Sequence, residues 1–186
     1  VLERAEALAR ASIARDPKRP EAYVYLAASL GYQGRILGLV RARLNRFPEQ
    51  AKEALDTSLK NAPNDPWSLA AMGGWNVEVV RNGGSFLANM LYGAKADVGI
   101  ALFRKAIAVD PGNLVLHQQF AISLSGYDLE GHENDIRTAL NAALRAKPRT
   151  EYERTIQGRA GALLALLDKN AIPEYRALVR RYQGYA

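Results

Sequence analysis

Apolar residues recur along this chain at spacings of three and four, the periodicity of one face of an α-helix. Four such segments share one ending: ARASIARDP runs into Pro17, DTSLKNAP into Pro63, RKAIAVDP into Pro111 and NAALRAKP into Pro148. Proline halts a helix because it has no N–H to donate and restricts the backbone of the residue before it. After each proline a new helical pattern starts within a few residues. The pattern predicts an all-α fold of successive helix pairs.

A size code runs through the tails. Five residues before the proline stand Ser58, Ala106 and Ala143; eight before it stand Leu55, Phe103 and Leu140; four before it stand Leu59, Ile107 and Leu144. A small residue lets a neighbouring helix approach, and the larger ones fill the groove beside it. The helix that follows each proline carries a second code of large, large, small, large. It reads Tyr23, Leu26, Ala27, Leu30, then Leu69, Met72, Gly73, Asn76, then His117, Phe120, Ala121, Leu124.

These two codes together resemble the tetratricopeptide repeat family, whose unit is two antiparallel helices over about 34 residues. The resemblance implies a right-handed α-solenoid whose concave face is lined by the first helix of each pair. It implies one repeat domain over 1–186, divided into a partial repeat 1–17 and repeats at 18–63, 64–111, 112–148 and 149–186. Gln33-Gly34 looks like the turn between the helices of the first full pair.

The intervals are uneven. From Pro17 to Pro63 is 46 residues, from Pro63 to Pro111 is 48, and from Pro111 to Pro148 is 37. The first two therefore exceed the family unit by roughly a dozen residues. The extra length is itself helical in character. RILGLVRARLNRF, 35–47, offers Ile36, Leu37, Leu39, Val40, Leu44 and Phe47 for packing; WNVEVVRNGGSFLANMLY, 75–92, reads as helix, a break at Asn82-Gly83-Gly84, and more helix. GGWNVEVV followed by LYG is similar to the repeat region of the regulator-of-microtubule-dynamics family, which implies elongated repeats. At the C-terminal end, Tyr175, Leu178, Val179 and Tyr182 form one stripe of a terminal helix, expected to cap the stack.

Composition adds limits. Cysteine is absent, which removes disulfides, thiolate metal sites and cysteine nucleophiles. A net charge of +6 and a pI near 9.6 make the chain mildly basic. Lys and Arg are nevertheless interleaved with Asp and Glu, the pattern of solvated helix faces rather than a specific nucleic-acid footprint. No apolar run reaches the roughly 18 to 20 residues of a membrane span. The sequence starts at Val1 within a helical pattern, so an N-terminal targeting segment is expected to be missing. Cytoplasm and periplasm both fit a soluble chain of this kind.

Candidate chemistry is sparse. His117 falls at a packed position and His132 in the polar connector GYDLEGHEND, with no HExxH spacing to hold zinc. Read as a calcium loop from Asp128, that connector has Glu133 and Ala139 where the turn glycine and the bidentate Glu belong. It reads instead as a solvated turn, with Asn134 or Asp135 capping the helix near Ile136. The glycines follow no predicted strand and fit no phosphate-binding fingerprint. These observations exclude the common catalytic sets; no cofactor and no metal is expected.

What the resemblance implies is a binding surface. Mapped on the first helix of each pair, the concave positions include Val24, Ala28, Tyr32, Trp67, Ala70, Glu78, Gln118, Ile122, Ser125, Tyr152, Thr155 and Arg159. Tyr32, Trp67, Glu78, Gln118, Tyr152 and Arg159 are the candidate contact residues. The Lys and Asn positions that clamp chaperone C-termini in that family correspond to Val24, Ala28, Ala70, Gly74, Gln118 and Ile122, so that activity is not expected. The expectation is a non-enzymatic scaffold that holds a protein or peptide. The alternative is an accessory subunit with a small-molecule pocket near Trp75, Met90, Leu91 and Tyr92. A third reading is self-association through exposed ends of the stack.

Overall fold

The computed structural model describes residues 1–185. They form eleven helices and no strand. Their packing divides into two compact units, one of Val1–Val109 and one from Asp110 onward.

The first unit holds α1 (Leu2–Arg15), α2 (Pro20–Leu37), α3 (Leu39–Leu44), α4 (Phe47–Asn61), α5 (Pro66–Gly83), α6 (Ser85–Tyr92) and α7 (Ala96–Val109). Proline stands in the first turn of α2, α4 and α5, where its missing N–H costs nothing. Asp65 caps α5 by accepting from the Ser68 amide at 2.7 Å. Hydrogen bonds between helices give their directions. Gln33, late in α2, donates to Glu6, early in α1, at 2.7 Å, and Ser58, late in α4, donates to the carbonyl of Pro20 at 2.9 Å. The Lys95 amide, just before α7, donates to Asn76, late in α5, at 3.0 Å, while Lys105 reaches the Pro63 carbonyl at 3.5 Å. Thus α1/α2, α2/α4 and α5/α7 are antiparallel pairs, and α2 also packs on α5.

All twelve residues of the large-large-small-large code are buried. Ser58, Ala106 and Ala143, the small tail positions, are each 0% exposed. The first code position also shows why a histidine serves there. Tyr23 donates its hydroxyl to the carbonyl of Pro17 at 2.9 Å, and His117 Nε2 lies 2.9 Å from the carbonyl of Pro111, six residues back in each case. A carbonyl only accepts, so that contact requires the proton on Nε2.

The turn expected at Gln33-Gly34 lies further on. Helix α2 continues to Leu37 and breaks at Gly38, whose φ of 82° favours glycine. Gly34 stays helical because its missing side chain admits α3: a Cβ there would sit 3.3 Å from that of Ala42. The second break falls on Gly84, φ 75° and ψ 156°, nearly the conformation of Gly38 at 82° and 163°. The α2–Gly38–α3 and α5–Gly84–α6 stretches are two versions of one device, 46 residues apart.

The second unit holds α8 (Leu114–Tyr127), α9 (Glu133–Arg145), α10 (Glu151–Asp168) and α11 (Ile172–Gln183). Asn113 and Thr150 cap α8 and α10 through backbone amides. Helix α9 has no such cap: it begins at Glu133 behind His132, so neither Asn134 nor Asp135 caps it. Gln157 on α10 donates to the carbonyl of Ala146 at 2.8 Å, and Arg137 on α9 meets Asp168 at 2.6 Å, so α9 and α10 are antiparallel. The stripe expected on α11 packs on α8 and α10, with Tyr175 and Val179 buried and Leu178 and Tyr182 half-buried. The Tyr175 hydroxyl lies 2.6 Å from Ser125 Oγ, itself 2.6 Å from the Ala121 carbonyl. Ser125 donates to that carbonyl, so Tyr175 donates to Ser125. Burial raises the Tyr175 pKa above its ordinary value of 10.0, outweighing the opposing effect of that hydrogen bond.

Candidate functional site

Tyr32 and Glu78 come together in the first unit. They occupy the same place in the 46-residue device, one on α2 and one on the neighbouring α5. Between them stands Arg35, with its guanidinium carbon 5.0 Å from the Tyr32 ring centroid and its Nε 3.2 Å from Glu78 Oε1. Arg81, the counterpart of Arg35, reaches the same oxygen at 2.9 Å, and Asn82 donates to it at 3.3 Å. One carboxylate thus holds two guanidiniums. Their side chains keep 22% and 17% exposure, enough to be reached and little enough to be fixed.

A further stripe on α2 joins this row to solvent. Glu21, Tyr25, Ala28 and Tyr32 are all exposed at helical spacings of three or four, Tyr25 to 69%. Next to Tyr25, α1 and α2 enclose a groove of about 340 Å³ lined by Ala5, Leu8, Ser12, Arg19 and Ser29 among others. Leu8 on its rim is 62% exposed. Glu6 and Arg10 of α1 pair with each other, and Arg10 reaches Gln50 at 2.7 Å. Burial works against ionisation of Glu6, but hydrogen bonds from Gln33 and Arg10 and the Arg10 charge outweigh it and lower its pKa.

The other candidate residues fall elsewhere. Trp67 is 40% exposed in the first turn of α5, eleven residues before Glu78, about 16 Å along the helix axis. In the second unit Gln118 is 1% exposed and accepts from Gln119, so its place on an open face does not hold. The reason is that α8 is packed by α9, α10 and α11, leaving it buried on nearly every side. Tyr152 stands 60% exposed at the start of α10. Arg159 lies half-buried with its guanidinium carbon 5.1 Å from the centroid of Tyr182. Thr155 turns its hydroxyl to the Glu151 carbonyl of its own helix.

The residues expected to line a small-molecule pocket diverge. Trp75 is buried at 9% exposure with its indole N–H given to the Pro48 carbonyl at 3.0 Å, whereas Met90 is 60% and Leu91 43% exposed. The apolar residues of the first insert also differ from expectation. Ile36, Leu39, Val40 and Leu44 were expected to pack, and are 59% to 77% exposed.

Among the described residues the molecule is therefore all-helical, with a row on one helix layer that is exposed at Tyr32 and half-buried at Arg35, Glu78 and Arg81. No family model, curated protein or solved structure matches it. Among the described residues no group of three or more His, Asp or Glu side chains converges, and no single helix is long and apolar enough to cross a membrane.

Proposed function

We propose that this chain is a tetratricopeptide-type scaffold that works by contact, holding a protein or peptide segment on the α2/α5 layer of its first unit. The observation that carries the reading is the row Tyr32–Arg35–Glu78–Arg81, built from equivalent positions of two repeats. The row joins an aromatic ring, which offers contact area at little entropy cost, to guanidiniums already held in place by Glu78. Arginine and tyrosine so arranged are the residue types that dominate protein contacts. The recurring size codes support the solenoid part of the reading, and α2 and α5, the first helices of the two pairs in this unit, keep exposed positions for contact while α8 does not.

A photo-crosslinking residue at position 32, used in an extract of the host, tests this. The expected result is one reproducible protein adduct that disappears with Glu78→Lys and is absent when the crosslinker sits at Lys60, exposed on α4. Identical adduct patterns from positions 32 and 60 would refute it.

A further inference from the structure

The two short helices of the first unit pose a question that the scaffold reading leaves unanswered. Each is exposed on nearly every side and carries large apolar side chains into solvent. On and before α3, Ile36 is 70%, Leu39 59%, Val40 75% and Leu44 77% exposed; on α6, Phe86 is 75% and Met90 60% exposed. Side chains this far out of the surface are protrusions, not the lining of a groove. Each helix is instead anchored by one small residue, Ala42 at 8% and Ala88 at 1% exposure.

Both helices leave the same end of the unit. The Arg35–Glu78 contact of 3.2 Å sets the C-terminal portions of α2 and α5 side by side. From there each chain turns through a glycine of nearly the same φ and ψ, Gly38 and Gly84, into α3 and α6. Equal turns from adjacent parent helices send both short helices out from one end.

Their charge has one sign. No Asp or Glu occurs between Glu21 and Glu49, nor between Glu78 and Asp97. Within these stretches Arg41, Arg43 and Arg46 are exposed, and none pairs with an acidic side chain among the described residues. Lys95 follows α6.

We infer that this end is a docking surface for an anionic lipid bilayer, with α3 and α6 lying in the headgroup layer. Exposed apolar side chains with arginines among them on α3, and apolar side chains alone on α6, are stable there: the apolar groups leave water and the guanidiniums meet phosphate. Arginine suits the place, because its stem packs along apolar material while its head stays at the polar boundary. A second copy is a poorer occupant, since like patches brought together set Arg41, Arg43 and Arg46 against their own kind. The inference goes beyond the scaffold reading and stands on different residues.

Co-sedimentation of the full chain with vesicles tests it. The expected result is binding to phosphatidylcholine vesicles containing phosphatidylglycerol and little binding to phosphatidylcholine alone. Arg41→Gln/Arg43→Gln/Arg46→Gln lowers the partition about a hundredfold. Phe86→Ser/Met90→Ser lowers it too, with unchanged helicity and melting by circular dichroism, because those side chains are already exposed. Failure of the natural chain to bind anionic vesicles overturns the inference. So does binding that Phe86→Ser/Met90→Ser leaves intact, which would be charge attraction without insertion. Dimerisation abolished by that same double variant, without vesicle binding, would assign the surface to a second copy and overturn it as well.

Discussion

Gly73 of α5 and Gly99 of α7 face each other so closely that a Cβ on either would come within 2.8 Å of the other's carbonyl oxygen. The nearest atom on each side is backbone, which cannot give way, and the side chains of Phe103, Asn76 and Val77 crowd the same space at 2.9 Å. It brings α5 close enough to α7 for Phe103 to cover Gly74, where a built Cβ would lie 3.6 Å from its ring.

Gly73→Ala is therefore expected to destabilise the first unit by about 1–3 kcal/mol through overpacking. Gly158→Ala, on α10 where a Cβ meets nothing within 4 Å, is expected to stabilise by up to about 1 kcal/mol through helix propensity. Urea melts of the two variants distinguish the cases. Equal effects would mean that the glycine contact does not set the helix spacing.

Ser58 and Ser68 are both fully buried and share a short polar chain between helices. Ser58 Oγ is 2.9 Å from the Pro20 carbonyl and 2.7 Å from Ser68 Oγ, which is 2.6 Å from Asp65. Two hydroxyl protons serve three contacts, so Asp65 fixes where one of them goes. Asp65→Ala removes both the α5 cap and that acceptor, and a loss of about 1–2 kcal/mol is expected from thermal or urea melts. A loss no larger than that of Asp56→Ala, on the exposed face of α4, would contradict it.

Tyr175 predicts a specific alkaline weakness. Its folded pKa is raised by burial, so its contribution is complete below the unfolded value near 10.0 and is lost as pH rises through the folded value. Stability of the natural chain is expected to fall above pH ~10 more steeply than that of Tyr175→Phe. At pH 7 the same variant is expected to be less stable by about 1 kcal/mol, for the hydrogen bond to Ser125. Parallel slopes above pH ~10 would show that this hydroxyl is not what titrates.

Glu78 separates two guanidiniums that would otherwise be neighbours. Glu78→Ala is expected to cost about 1 kcal/mol, a modest figure because the pairs retain some solvent. Adding Arg81→Met should recover part of that loss, as a double-mutant cycle measures. Strict additivity of the two changes would mean that the row is not a coupled unit.

Much of this arrangement is legible in the sequence, for a physical reason. A core position leaves a mark at period 3.6 whatever its partner, so Tyr23, Leu69 and His117 could be matched across repeats, as could Ser58, Ala106 and Ala143. The stop signals were clear for the same reason, proline and glycine being limited by their own backbones. What a helix face meets is not encoded locally. The apolar residues of α3 look the same in sequence whether their own chain covers them or nothing does. Gln118 departs from the expectation of one open helix face because α8 is covered on nearly every side, and LVLHQQFAISLSGY carries no charged residue at all. That was the available sign of burial all round. Arg35 and Arg81 were missed as partners of Glu78, and the 46-residue offset that relates them was the signal that would have found them.

The central claim is that the α2/α5 layer is where a partner is held. Hydrogen exchange on the complex with the protein captured from position 32 tests it most directly. Slowed exchange over 25–36 and 74–82, with α4 unchanged, is the predicted result. Exchange over those two stretches that matches the free chain, or protection found only on other helices, would contradict it.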